Sequence, residues 1–175
     1  MITDTPPAGI RSARTRGRRS TGRPGAVVVA RCGFPGEEGQ VREARAFVEA
    51  ALGLCFPAGT ELLDSALIAA GELAANAVRH TRSGEPGGRF GIEIYRRPGA
   101  VTIEVRDQGP RRNGPESEPH VRRQPLDVEH GRGLALVEAL TDEWSTRRLT
   151  DGRVVSCTLR DERPGHELVR SGRPV

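Results

Sequence analysis

The chain has 175 residues, 35% of them hydrophobic, with a formal charge of +4 and an isoelectric point near 9.7. That length suits a single domain with its own core, and the basic balance raises nucleic acid as a partner. The charge is local, however: residues 1–25 hold Arg11, Arg14, Arg16, Arg18, Arg19 and Arg23 against Asp4 alone, a net of +5, which leaves −1 for the rest. All 27 basic residues are arginine, which excludes a Walker-type phosphate loop because that loop needs a lysine.

Residues 1–25, rich in Arg, Gly, Thr and Pro and without hydrophobic period, read as a disordered arm. Ala26–Cys32 is a β-branched run and predicts a first strand. From Val41 the apolar positions Val41, Ala44, Phe47, Val48, Ala51 and Leu52 follow helical spacing. A second helix is expected from a Thr60 cap, with Glu61 and Asp64 in its first turn, to about His80, where Ser83-Gly84 and Pro86-Gly87-Gly88 stop it. Phe90, Ile92 and Ile94, then Val101, Ile103 and Val105, alternate as the arms of a hairpin about Pro98-Gly99, the centre of a type II turn. Residues 108–130 are Pro-, Arg- and Glu-rich and predict a lid or binding segment. Leu134, Val137 and Leu140 mark a third helix. Trp144–Leu149 and Arg153–Leu159 form a second hairpin about Asp151-Gly152. Residues 162–175 read as a loose tail, leaving one domain over 26–161. The order β-α-α-β-β-lid-α-β-β predicts an α+β, two-layer sandwich with helices on one face of a mostly antiparallel, mixed sheet.

Rotating the second helix by 100° per residue puts Leu63, Ala66, Leu67, Ala70, Leu73, Ala74, Ala77 and Val78 on one stripe that must face the sheet. Glu72, Asn76 and His80 lie at i, i+4 and i+8, in one row beside it. By itself that row is also what a solvated helix face with an Asn and a Glu looks like. Asp107 ends a strand and Gly109 follows two residues later. A strand-end carboxylate accepts a hydrogen bond from an exocyclic amine, and a glycine lets a base approach the backbone, although Asp-x-Gly is also a common turn. Gly131-Arg132-Gly133 opens a helix, whose free N–H groups and positive dipole end bind phosphate oxygens; alternatively it is a lid hinge.

Together these segments, GELAANAVRHT, VRDQGP and HGRGLALVEAL, resemble the N box and the two glycine boxes of the GHKL ATPases, the superfamily of gyrase, the heat-shock chaperones, histidine kinases and mismatch-repair proteins. The likeness runs over roughly residues 26–160 and is closest to the small bacterial anti-sigma-factor serine/threonine kinases. It implies the Bergerat (GHKL) fold with an ATP lid, ATP as ligand and Mg2+ as its companion. Residue by residue it implies that Asn76 ligands the magnesium, Glu72 is the general base, Asp107 binds the adenine amine and Gly109 floors the base pocket. Gly131, Arg132, Gly133 and Leu134 would wrap the phosphates. His80 matches a common family position as either a ligand contact or a structural one. Arg111, Arg112, Arg122, Arg123 and Arg132 are candidates for the γ-phosphate. Arg111 stands where many members have a further glycine, and Pro110 stiffens the start of the lid; both fit the anti-sigma subgroup better than the histidine kinases.

A histidine autokinase needs a phosphoacceptor histidine on a dimerisation hairpin, and His80, His120, His130 and His166 offer none. Gyrase-like or mismatch-repair work needs a transducer domain for which no residues remain. The resemblance therefore implies a protein serine/threonine kinase that acts on an anti-sigma antagonist and a sigma factor, with a homodimer as a further expectation. The alternative is a non-catalytic module in which ATP gates protein binding. Nucleic-acid contact through the arginine arm ranks below both, because aromatic residues are only 3% of the chain and base stacking is poorly supplied. Cys32, Cys55 and Cys157 are odd in number and lack CxxC spacing, no apolar run has the length of a membrane span, and the N-terminus has no secretory stretch. A cytoplasmic location is expected on those grounds.

Overall fold

The computed structural model describes residues 25–111 and 133–161. The expected arm up to residue 24, the tail at 162–175, lid residues 112–130, and Gly131 and Arg132 lie outside the described residues. The elements in chain order are β1 (Val27–Pro35), α1 (Gln40–Gly53), α2 (Glu61–His80), a short 3-10 turn (Arg82–Gly84), β2 (Arg89–Arg97), β3 (Ala100–Asp107), α3 (Gly133–Leu140), β4 (Glu143–Leu149) and β5 (Gly152–Arg160). The strands form one sheet in the order β1-β2-β3-β5-β4, and every described pairing is antiparallel. The expected α+β sandwich is present, with an antiparallel sheet and no parallel pair among the described residues.

Side-chain alternation decides which face of the sheet is covered. Ile92 pairs with Val105, Ile94 with Ile103, Ile103 with Cys157, and Val105 with Val155, so one apolar ladder crosses β2, β3 and β5. These residues are buried and join one core with Val48 and Leu52 of α1, Leu63, Ala66, Ala70, Leu73 and Ala74 of α2, and Val137 of α3. The other face is polar: Thr102 and Thr158 share a hydroxyl hydrogen bond of 2.9 Å, as do Ser145 and Ser156. Helix α2 lies at the centre, touching β2, β3 and β5 below it, α1 on one flank and α3 on the other. Its run of alanines permits that crowding, since small side chains let helix and sheet approach closely.

Three expectations are corrected. Thr60 sits at the N-cap of α2 but does not cap it by its side chain; its hydroxyl donates to the Pro57 carbonyl at 2.9 Å, while its own carbonyl accepts from Asp64 N–H at 3.0 Å. β1 extends three residues beyond Cys32, because Gly33, Phe34 and Pro35 find partners in Gly91, Phe90 and Arg89. The second hairpin turns at Thr150-Asp151 rather than Asp151-Gly152: Leu149 already pairs with Gly152, which belongs to the strand. The first hairpin turns as expected, with Gly99 at φ +70°.

Ile103 is fully buried at the middle of the apolar ladder. Ile103→Ala is expected to cost about 2–5 kcal/mol of unfolding free energy by lost transfer energy and the residual cavity. A chemical-denaturation midpoint unchanged by this substitution would contradict the packing described.

Candidate functional site

Two groups of residues gather at the same end of the sheet. The first is built on α2 and α3. Glu72 and Asn76 are partly buried on the flank of α2 that faces α3, while Ser65 and Ala69, further back along that flank, are buried. The first residue of α3, Gly133, packs directly against the pair: a Cβ placed on it would lie 2.6 Å from Glu72 Oε2 and 3.6 Å from either amide atom of Asn76. A side chain at this position would displace the Glu72 carboxylate from the helix start. The N-terminal backbone of α3, with N–H groups that have no intrahelical acceptor, therefore stands beside a carboxylate and an amide. Leu134 is half-buried and packs on the core, which anchors the helix start. His80 lies at the exposed end of the row, a turn beyond Asn76, and has a partner of its own.

The second group is the end of β3. Asp107 points to the helix side, in phase with Ile103 and Val105, and is only 5% exposed. Its Oδ1 accepts the Gly109 N–H at 2.6 Å in an Asx-type turn, and Gly109 holds φ +81°, a conformation that favours glycine. Burial holds the Asp107 carboxyl above its ordinary pKa of 3.8, against the opposing pull of the Gly109 N–H and of the Arg153 and Arg82 guanidiniums. Gly152 is the reason β5 can lie here: a Cβ on it would fall 1.9 Å from the Asp107 carbonyl oxygen. Its φ is ordinary, so it serves close approach rather than turning.

The two groups are tied together by the exit from α2. The Thr81 hydroxyl, at the C-cap of α2, donates to the Ala77 carbonyl at 2.6 Å and accepts from Ser83 N–H at 3.1 Å. Ser83 Oγ in turn accepts from Gln108 N–H at 3.0 Å, and Arg82 N–H donates to the Gly109 carbonyl at 2.9 Å. Thr81 also forms a bridge with Pro110. Of the five lid arginines only Arg111 is described; it is exposed, and its Nη2 donates to the Val78 carbonyl at 3.3 Å, near the end of α2. Gly131, Arg132, Arg112, Arg122 and Arg123 lie outside the described residues. Sequence reasoning missed Arg82, Ser83 and Arg153. For Arg153 a signal existed: it is in phase with Val155, Cys157 and Leu159 and therefore faces inward. Arg82 and Ser83 sit in a stop signal of small residues, where nothing marks a partner 25 positions away.

A hollow of about 590 Å³ lies elsewhere, between α1 and α2, lined by Val41, Arg42, Arg45, Leu67 and Arg79 among others. It is on the opposite flank of α2 from Gly133. The described residues contain no cluster of three or more His, Cys, Asp or Glu able to hold a metal by themselves. None of the described helices is long and apolar enough to cross a membrane.

Comparison with known proteins bears on this geometry. Among solved structures, the RsbU and RsbW domains of Rv1364c from Mycobacterium tuberculosis align with a TM-score of 0.54 at 19% identity, covering 75% of this chain and 32% of that one. This chain thus spans about a third of that protein's length, and at such identity the likeness concerns the fold. No curated protein matches the chain. The family model of the histidine kinase-like ATPase domain matches residues 34–159, a span that holds α1, α2, α3, β2 to β4, all of β5 but its last residue, and both residue groups described above. The chain belongs to the family of histidine kinase-like ATPase domains.

Proposed function

We propose that this chain binds ATP with Mg2+ in the space bounded by Asp107, Gly109, the Glu72–Asn76 flank of α2 and the start of α3, and that it is a protein serine/threonine kinase of the anti-sigma type. The observation that carries the reading is the contact of Gly133 with Glu72 and Asn76, which sets a phosphate-binding helix end beside a potential base and a potential metal ligand. In this reading the ionised Asp107 accepts from the 6-amino group of adenine, and the positive φ of Gly109 keeps the turn flat against the base. The N-terminal N–H groups of α3 face the phosphates. Asn76 Oδ1 would hold Mg2+, with the Glu72 carboxylate beside it, oxygen donors that suit a hard cation. When bound, the ion neutralises charge on the phosphate oxygens.

Phosphoryl transfer asks mainly for positioning and charge stabilisation. The substrate hydroxyl oxygen bonds to the γ-phosphorus as the bond to the β–γ bridging oxygen breaks, ADP leaves with that electron pair, and Glu72 takes the hydroxyl proton. The phosphoacceptor is an anti-sigma antagonist and the sequestered partner a sigma factor, as the likeness to the anti-sigma kinases implies; the chain is proposed to act as a homodimer in the cytoplasm. The Arg-rich arm of residues 1–25 and the tail of 162–175 are proposed to lie outside the ATP-binding domain.

Two outcomes are expected. Glu72→Ala retains Mg2+-dependent ATP binding within a few-fold but stops transfer to a co-purified partner, assayed by labelled phosphate in a single turnover and by phosphosite mapping. Label still reaching the partner would remove Glu72 as the base; nucleotide-dependent binding by the unaltered chain with no phosphoprotein would favour the gating alternative. Asp107 supplies the pH dependence. Its folded pKa is raised, so its contribution to stability is fully present below 3.8 and is lost as pH rises through the higher folded value. ATP binding runs the other way, because the amine needs the ionised carboxylate: affinity falls on acidification, starting above the ordinary carboxylate range. Asp107→Asn is therefore expected to raise the melting temperature of the nucleotide-free protein at pH 7 while weakening ATP about 10-fold or more, ~1.4 kcal/mol. Thermal melts and calorimetric titration check both halves, and unchanged affinity would displace Asp107 from the base pocket.

A further inference from the structure

Arg82 belongs to no part of the three segments that identify the family, yet its position is tightly specified. It follows α2 in the 3-10 turn, and its backbone N–H is fixed to the Gly109 carbonyl at 2.9 Å. Its Nη2 lies 3.5 Å from where a Cβ on Gly109 would stand, so the guanidinium lies along the turn proposed to floor the base pocket. It lies within electrostatic reach of Asp107, whose ionised form its charge favours. Its Nε is buried and has no hydrogen-bond partner. A buried, unpaired N–H on a charged group is costly enough that native structures rarely retain one without a reason. The Asp107 carboxylate, already holding the Gly109 N–H on Oδ1, thus has the Arg82 guanidinium within electrostatic reach and Arg153 as its cross-strand partner.

Such a couple, an acceptor beside a donor, has a chemical complement. Adenine carries its 6-amino donor next to an acceptor on both edges, N1 on one and N7 on the other. Guanine reverses the order, with an acceptor at position 6, and must shift along the site to pair at all. We infer that Arg82 is a base-reading residue: its guanidinium donates a hydrogen bond to a ring nitrogen of the adenine whose amine Asp107 accepts. The inference rests on the ATP reading above and adds to it the residue that distinguishes adenine by its ring acceptor. Arg82 contributes to recognition and takes no part in transfer. The donor is the Nη2 group beside the Gly109 turn, because the buried Nε offers no surface to a ligand. A polar site left with an unmatched group rejects an analogue that lacks the matching atom.

The test is equilibrium binding of ATP, 1-deaza-ATP and 7-deaza-ATP, each with Mg2+, to the full chain and to Arg82→Met. The unaltered chain is expected to bind one of the two deaza analogues about 10-fold or more weaker than ATP, the loss of one charge-assisted hydrogen bond. In R82M, ATP weakens by a similar factor and the gap between ATP and that analogue closes. Equal affinity of the unaltered chain for all three nucleotides overturns the inference while leaving the ATP site intact, and so does a gap that persists in R82M. Equal affinity decides without any variant, and Arg82→Gln takes the place of R82M, with the same two outcomes, if R82M does not fold. Failure of the unaltered chain to bind ATP at all is a different result and removes the ATP reading itself.

Discussion

A buried carboxylate at the tip of a central strand sets the terms for everything near it. Asp107 is placed in the low-dielectric side of the sheet by strand alternation alone, since Ile103 and Val105 before it must face the core. An acid in that position is stabilised only by what is brought to it. The Gly109 N–H reaches back to Oδ1, two guanidiniums stand within electrostatic range, and burial still dominates, leaving the carboxyl above its usual range. The neighbouring chain has little freedom as a result. Gly109 must take a positive φ to make the turn, and Gly152 must lack a side chain so that β5 can lie against the Asp107 carbonyl. A group retained at such a cost, on a strand whose other inward residues are Val101, Ile103 and Val105, is a site candidate on physical grounds.

Helix α2 converts this local arrangement into a larger one. Its small residues let it serve as a shared wall for α1, α3 and three strands, and its length carries the wall from Thr60 to the turn that is stitched to Gln108 and Gly109. Glu72 and Asn76 thus keep a fixed relation to Asp107 through one rigid element and a short series of hydrogen bonds: Ala77 to Thr81, Thr81 to Ser83, Ser83 to Gln108. Sites built on such elements hold their geometry better than sites on loops. α3 completes the arrangement from the other flank, where Gly133 leaves the Glu72 carboxylate in place beside the helix start.

Much of this was legible in the sequence, for reasons that can be assigned residue by residue. Among the described residues, periodicity located the three helices and the five strands, because each buries one face and the pattern of burial is the pattern of the sequence. The row Glu72, Asn76, His80 followed from helical geometry, and the turn at Gly99 from its Pro-Gly pair. The failures share a different cause. Thr60 looked like a capping residue, but its hydroxyl found a nearer carbonyl in Pro57. Gly152 looked like a turn glycine, whereas its role is set by a strand 45 positions earlier in the chain. The contact between Gly133 and Glu72, and the partners of Ser83 and Arg82, are likewise long-range facts, and no local pattern encodes them.

That division explains why the base end and the phosphate end of the proposed site differ in character. Asp107, Gly109, Arg82 and Arg153 are held by backbone pairing in the sheet and by the hydrogen-bonded exit from α2, so the base end is assembled from the most constrained parts of the fold. The phosphate end relies on α3, an eight-residue helix with a single fully buried side chain, Val137, among those described. Its contact with Glu72 and Asn76 involves a glycine, which contributes no apolar burial of its own. A ligand that spans both ends would therefore gain orientation from the rigid half and add stability to the lightly anchored one. Nucleotide occupancy and the placement of α3 are then thermodynamically linked: whatever holds α3 against α2 favours the ligand, and the ligand favours that placement to the same extent.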